Sequence, residues 1–238
     1  MSSERNMEVP KMNEHFFTEA HSRMSAEELE AYHQAVFMNM EGEYAQNKRQ
    51  EYYRGLLRHM GENVSIGIGV RIVNPQFISL GDNVQIHDRC TLIANSEKGI
   101  TLDDGARLKH GVYLDTESAA TGYIRIGKRV YIGAGCCLHG HEGLEIGDDS
   151  LLAQNITITP YSHKFDDPNK TIYSQGGIQK KIVIGRDCYL GMNVCIVCTA
   201  ENIGEGSVVG AGSVVVKPIP PYSVAVGVPA KIIKKRGT

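Results

Sequence analysis

Between Ile66 and Val215 a large aliphatic residue returns every sixth position, and glycine often follows it: Ile126-Gly127, Ile132-Gly133, Leu138, Ile146-Gly147, Leu152, Ile158, Ile184-Gly185, Leu190-Gly191, Ile196. Neither the 3.6-residue period of a helix nor the two-residue alternation of a lone strand gives that step. The pattern therefore marks a repeat architecture. Its rungs group in threes, at 66, 72 and 78; 80, 86 and 92; 102, 108 and 114; 126, 132 and 138; 146, 152 and 158; 184, 190 and 196; 203, 209 and 215. Within a group the step stays at six, and extra or missing residues fall between groups. Three steps make a coil of about eighteen residues, and the irregularities collect at one corner of a triangular prism.

The residue four after a rung also points inward, and it is usually small: Val84, Cys90, Ala106, Val112, Val130, Cys136, Ser150, Val194, Ser207, Ser213. A large rung fills the interior while the small partner permits the bend. Glycine after the rung serves the backbone, where a side chain would crowd or φ turns positive. Seven coils at ~4.8 Å each give a prism ~34 Å long, with strands hydrogen-bonded from coil to coil. The expected fold is all-β, a parallel β-helix of about seven coils.

Ahead of the ladder, residues 1–24 are polar and aperiodic and read as a loose arm. Ser25-Ala26-Glu27-Glu28 has the form of a capping box, and good helix formers run from there to about His59. Leu29, Tyr32, Val36 and Met40 keep helical spacing, as do Tyr53, Leu56, Leu57 and Met60. One or two amphipathic helices are expected to cover the end of the prism, because an uncapped stack exposes unpaired backbone and apolar rungs. The chain thus divides into a helical cap over 1–60, a β-helix over 61–218 and a closing segment over 219–238.

One interruption is far longer than the rest. Between Ile158 and Ile184 lies a loop over 159–183 holding Tyr161, Ser162, His163, Phe165, Asp166, Asp167, Pro168 and Tyr173, with Gly176-Gly177 as a hinge. A loop of this length in a compact repeat is functional or disordered, and these contents favour function. Stacking the coils puts His139, His141 and Glu142, which follow Leu138, one coil below the start of this loop. Three histidines then share one corner. Either His139, His141 or Glu142 binds an acceptor or orients His163, or the three histidines hold zinc.

The hexads and the closing run Lys217-Pro218-Ile219-Pro220-Pro221-Tyr222-Ser223-Val224-Ala225-Val226-Gly227-Val228-Pro229-Ala230-Lys231 resemble the hexapeptide-repeat acyltransferases. Ser162-His163-Lys164-Phe165-Asp166-Asp167-Pro168 is similar to the loop motif of the galactoside, maltose and surface-polysaccharide O-acetyltransferases among them. The resemblance implies a left-handed helix, an exception to the usual crossover rule. It implies an acetyl-CoA-dependent O-acetyltransferase acting on a sugar or polysaccharide precursor, with His163 as general base. A backbone N–H at a coil corner would steady the oxyanion. Substrate contacts are expected from His139, His141, Glu142, Tyr161 and Asp166. Coenzyme contacts are expected from Gly191, Ala211, Gly212, Lys217, Lys231 and Lys235, with no metal. The family assembles as a homotrimer whose loops close over neighbouring coenzyme sites. N-acetylation of an amino sugar, an idle scaffold and a zinc hydratase of the γ-carbonic-anhydrase type are the alternatives.

Composition adds boundaries. A formal charge of -2 in 238 residues gives no global attraction to nucleic acid or anionic membrane, and no apolar run approaches a membrane span. A cytoplasmic protein is expected. The six cysteines fit the repeat better than redox chemistry: Cys90, Cys136 and Cys188 fall at the small inward position, and Cys195-Ile196-Val197-Cys198 straddles a rung.

Overall fold

The computed structural model describes residues 23–238 apart from Ala119, so the expected loose arm lies outside the described residues for all but its last two positions. Three parallel sheets form the walls of a β-helix. The first face stacks seven strands from His59–Met60 through Ile78–Leu80, Ile100–Leu102, Ile124–Ile126, Leu144–Ile146 and Ile182–Ile184 to Asn202–Ile203. The second runs from Ser65–Ile66 to Val208–Val209, and the third from Arg71–Val73 to Val214–Val215. Equivalent rungs pair directly: Ile126 with Ile146 and Leu102 on the first face, Leu138 with Leu114 and Ile158 on the third.

The interior is dry and aliphatic. Leu80, Leu102, Ile126, Leu138, Leu152, Leu190 and their partners Val84, Ala106, Val130, Cys136 and Ser213 are fully buried. The first triplet is out of phase with the expectation. Met60, Ile66 and Ile72 form the opening coil, because Met60 pairs with Leu80 while Ile78 pairs with Ile100. Ile78 is thus a second inward residue on the strand that carries Leu80. The cap accordingly ends before residue 60, whose strand already belongs to the β-helix.

Glycine after the rung is a matter of crowding. A Cβ on Gly147 would lie 2.5 Å from the Arg186 nitrogen, and one on Gly191 2.5 Å from the Ala211 nitrogen. The positive φ sits two residues further on, at Asn63, Asn83, Gly105, Arg129, Asp149, Asn155, Asp187 and Gly212. There the chain turns the corner in the left-handed region that Asn, Asp and Gly tolerate best.

Two helices precede the open end, α1 (Ala26–Val36) and α2 (Glu43–Arg54), and α2 lies across it. The capping box closes reciprocally, with the Ser25 amide donating to Glu28 (2.9 Å) and the Glu28 amide to Ser25 Oγ (3.3 Å). Alternate residues turn their backbone groups to the next coil, as the Gly61 amide does to Leu80 and the Ser65 amide to Val84. The residues between turn theirs to the preceding one, as Ile124 does to Gly99, so on the first coil the carbonyls of this second set have no coil beneath them. Helix α2 supplies their donors: Arg54 to Met60 and Gly61, Gln50 to Val64, and buried Arg49 to Ile66 at 3.0 Å. Arg49 also donates to the carbonyls of Phe37 and Met40 in the link between the helices. Buried backbone groups demand such partners.

At the far end the closing segment continues the second sheet. Ser223–Val226 pairs parallel with Val208–Val209, and Lys231–Lys235 returns antiparallel along it. Among the described residues no helix is long and apolar enough to cross a membrane.

Burial pushes the thiols of Cys90 and Cys136 up to about 11. Iodoacetamide at pH 7 should leave both unlabelled in the native protein and label them once it is unfolded, read by peptide mass. Leu138→Ala should lower stability by about 2–5 kcal/mol in urea, whereas Leu151→Ala, on the outward side of its strand, should stay within about 0.5 kcal/mol.

Candidate active site

Insertions gather at the corner where the third face gives way to the first. The longest becomes a two-stranded antiparallel hairpin, Tyr161–His163 against Gly177–Gln179, with His163 opposite Gly177. The Lys180 amide donates to Pro160 and the Lys164 amide to Gly176, each at 3.0 Å, closing the hairpin at both ends. Beyond it, Asp167 orders the tip: it receives the Asn169 amide (3.0 Å) and pairs with Lys170 (3.1 Å). Those two contacts hold its carboxyl below the usual range. Asp166 lies exposed in the same tip.

The stacking anticipated for the histidines is present as a row of rings. His139 and His141 lie 6.0 Å apart. His141 stacks on Tyr161 at 5.0 Å and 19°, and Tyr161 meets His163 edge-on at 4.9 Å. The Tyr161 hydroxyl stands 3.4 Å from His163 Nδ1. Burial lowers the pKa of His141, with Glu117 opposing it, and its buried Nδ1 has no hydrogen-bond partner among the described residues. Glu142 occupies the same turn, half-buried.

A second set of polar groups supports this row and was not singled out from the sequence. Asp115 is 6% exposed and accepts from Tyr113 Oη (2.7 Å), Asn95 Nδ2 (3.0 Å) and the Glu117 amide (2.7 Å). Glu117 lies 2.9 Å from His139 Nδ1, and Cys137 Sγ 3.3 Å from His139 Nε2. A neutral His139 meets both by donating from Nδ1 to the carboxylate and accepting the thiol proton at Nε2. Burial, with Glu117 and then Asp115, raises the Cys137 pKa. The signal was the residue after each rung of the third face, where Asp115, His139 and Thr159 follow one another up the stack. No set of three or more His, Cys, Asp or Glu side chains among the described residues converges as a metal site.

Of the residues assigned to the coenzyme by resemblance, all but Lys217 fall on other edges. Gly191, Ala211 and Gly212 stand at the corner between the second and third faces. Lys231, paired with Val226, lies beside that corner. Lys217 follows the last strand of the third face and is exposed. Lys235 pairs with Ser223 at the opposite end of the return strand and donates to the Pro221 carbonyl (3.0 Å). The antiparallel return therefore separates Lys235 from Lys231 and the glycine corner.

The family model described as the hexapeptide repeat of succinyl-transferase matches residues 78–116, 123–160 and 181–217. The unmatched stretch between the last two segments is the hairpin. A probable acetyltransferase of Mycobacterium tuberculosis is 34% identical over 171 residues, 70% of this chain and 54% of the relative. The chain thus spans about half the length of the first curated relatives it matches. Galactoside O-acetyltransferase of Escherichia coli K12 is 31% identical over 154 residues, 63% of this chain and 70% of the relative. Among solved structures, the D94A mutant of AntD, an N-acyltransferase of Bacillus cereus in complex with dTDP and coenzyme A, superposes with a TM-score of 0.56 at 25% identity, covering 79% of this chain and 89% of that one. Repeat, fold and relatives agree: the chain belongs to the hexapeptide-repeat acetyltransferases, a family of left-handed β-helices.

Proposed function

We propose that the protein transfers the acetyl group of acetyl-CoA to a hydroxyl of a sugar or sugar-containing polysaccharide precursor, with His163 as general base. The observation that carries the reading is the place of His163: an imidazole on a projecting hairpin, backed by other rings and open to solvent on its far side. Direct attack needs no enzyme nucleophile, because a thioester carbon is already electrophilic. His163 takes the hydroxyl proton as the acceptor oxygen attacks that carbon. Collapse of the tetrahedral oxyanion expels the thiolate, which recovers the proton from the imidazolium. His141, one ring away from His163 through Tyr161, and Glu142 in the same turn are assigned to the acceptor hydroxyls.

The galactoside O-acetyltransferase relative supports a hydroxyl acceptor. AntD, an N-acyltransferase, supports the second reading, an amino sugar acylated by the same base. The glycine corner at Gly191, Ala211 and Gly212, with Lys231 beside it, suits the long arm and phosphates of coenzyme A, and Lys217 stands across the third face on the edge that carries the hairpin. We assign Lys235 no part in the coenzyme site. Such a donor supports a cytoplasmic setting for the reaction.

Two features support a homotrimer. His163 and the glycine corner lie on opposite edges of the third face, so a complete site needs the hairpin of one copy beside the corner of another. The hairpin also exposes Phe165 (69%), Ile172 (56%) and Tyr173 (91%), an apolar set suited to packing against a neighbour.

With acetyl-CoA and a panel of galactosides, maltose and amino sugars, the expected product is an O-acetyl sugar found by mass. Exclusive N-acetyl product would establish the second reading. His163→Ala should cut turnover by about 10²–10⁴-fold and leave acetyl-CoA binding by calorimetry unchanged; undiminished turnover would remove His163 as base. Light scattering should give three times the chain mass, and a monomer with full activity would refute the shared site.

A further inference from the structure

A histidine that accepts a proton through Nε2 must keep its own proton on Nδ1, and which nitrogen carries it is set by the partner of the other. Carboxylates commonly fill that place, but the contact the structure gives His163 Nδ1 is not with one. Asp115 holds Tyr113, Asn95 and the Glu117 amide, and Glu117 holds His139. The group that stands at His163 Nδ1 is the phenol of Tyr161, at 3.4 Å.

Tyr161 is itself fixed from two sides. His141 stacks flat on its ring, tying the hairpin to the coil below. Gly177, on the partner strand, leaves the space the ring fills: a Cβ there would lie 2.2 Å from Tyr161 Cζ and Oη. Any side chain at 177 would therefore displace the phenol. Tyr161 and His163 are two apart on one strand, so both side chains leave the same face of the hairpin.

Building on the assignment of His163 as base, we infer that Tyr161 is a positioning residue. Its phenol oxygen accepts from His163 Nδ1–H and holds the tautomer whose Nε2 lone pair faces the acceptor, and His141 is the plate that keeps Tyr161 in place. The contact is long in the resting protein and shortens as the imidazolium forms, because a charged donor makes the stronger hydrogen bond. Had the phenol donated to Nδ1 instead, the proton would sit on Nε2 and the ring could not receive another from the acceptor at that atom.

The test is the tautomer itself, read by two-bond 1H–15N correlation in protein carrying 15N-histidine, with the His163 signals assigned by their loss in His163→Gln. The expected result is the Nδ1–H form in the native protein and a shift toward Nε2–H in Tyr161→Phe, which keeps the ring and its stack. An Nε2–H form in the native protein, or the same form in both, overturns the inference, and this reading needs no acceptor. In turnover of acetyl-CoA with the sugar identified by the acceptor panel, Tyr161→Phe should lower kcat about 10-fold and leave KM for acetyl-CoA within about twofold. His141→Ala should lose about as much as Tyr161→Ala, and the double variant little more, since both act through one contact. If His163→Ala retains native turnover, the base assignment fails first. If it is inactive while Tyr161→Phe matches the native protein in tautomer and kcat, the positioning role alone fails.

Discussion

The structure depends on how closely one coil of backbone lies on the next. Where glycine follows the rung, the gap is too small for a side chain: a Cβ at Gly127 would meet the Asp148 amide at 2.8 Å, and one at Gly185 the Glu205 amide at 2.5 Å, whereas His87, Asp103, Lys109 and Ala153 take the same place in the remaining coils. This contact recurs at the ends of the first and second faces, where Gly61, Gly81, Gly127, Gly147, Gly185, Gly204 and Gly67, Gly133, Gly191, Gly210 follow their rungs. It keeps the strand ladders in register, and the register keeps the interior columns of Leu and Ile aligned. The third face differs. Val73, Ile93, Asp115, His139, Thr159, Val197 and Val216 follow its rungs, so this corner admits side chains and insertions. The hairpin and the row of rings stand at the one edge that the glycine stacking leaves free.

That placement explains what could be read from the sequence. The six-residue step and the triplets were legible because a rung with its small partner is imposed afresh in every coil. Ile78 was misassigned for a physical reason: a strand entering from the loose corner buries two residues of the same face, Ile78 and Leu80, and periodicity alone does not say which is the rung. The ring row from His139 to His163 was legible because His139 and the loop both follow a third-face rung. The network of Asn95, Asp115, Glu117, His139 and Cys137 was not, since its members come from three coils and meet only through stacking. Lys235 looked equivalent to Lys231 in a basic run, and an antiparallel return that the spacing does not encode set them at opposite ends of one strand.

The ends of the prism show the same rule from outside. Coils hydrogen-bond in both directions, with the Gly61 amide donating forward to Leu80 and the Ile124 amide back to Gly99, so the first and the last coil each turn backbone groups toward a side where no coil follows. Arginine and glutamine of α2 answer the first, with Arg49 buried in doing so. The closing segment answers the second, where Gly204 donates to Ile219, Gly210 to Ala225 and Val214 to Gly227. A solenoid built from a local repeat still needs two non-repeating pieces, and in this chain they are the parts without hexads.

The proposed base could not have been housed in the prism. The interior is aliphatic and closed to solvent, so an imidazole there would be stripped of water and unable to reach an acceptor. The alternative is a side chain that projects from the loose corner, but a projecting histidine samples many rotamers and orients no lone pair. The chain answers with aromatic contact rather than burial. Tyr161 is wedged between His141 and the bare backbone of Gly177, His141 lies against His139, and His139 is tied by Glu117 and Cys137 to the third face. Each ring borrows rigidity from the one beneath it, until the last is anchored in the hydrogen-bonded wall. An exposed imidazole is thereby given an orientation by the stacked coils without entering their core.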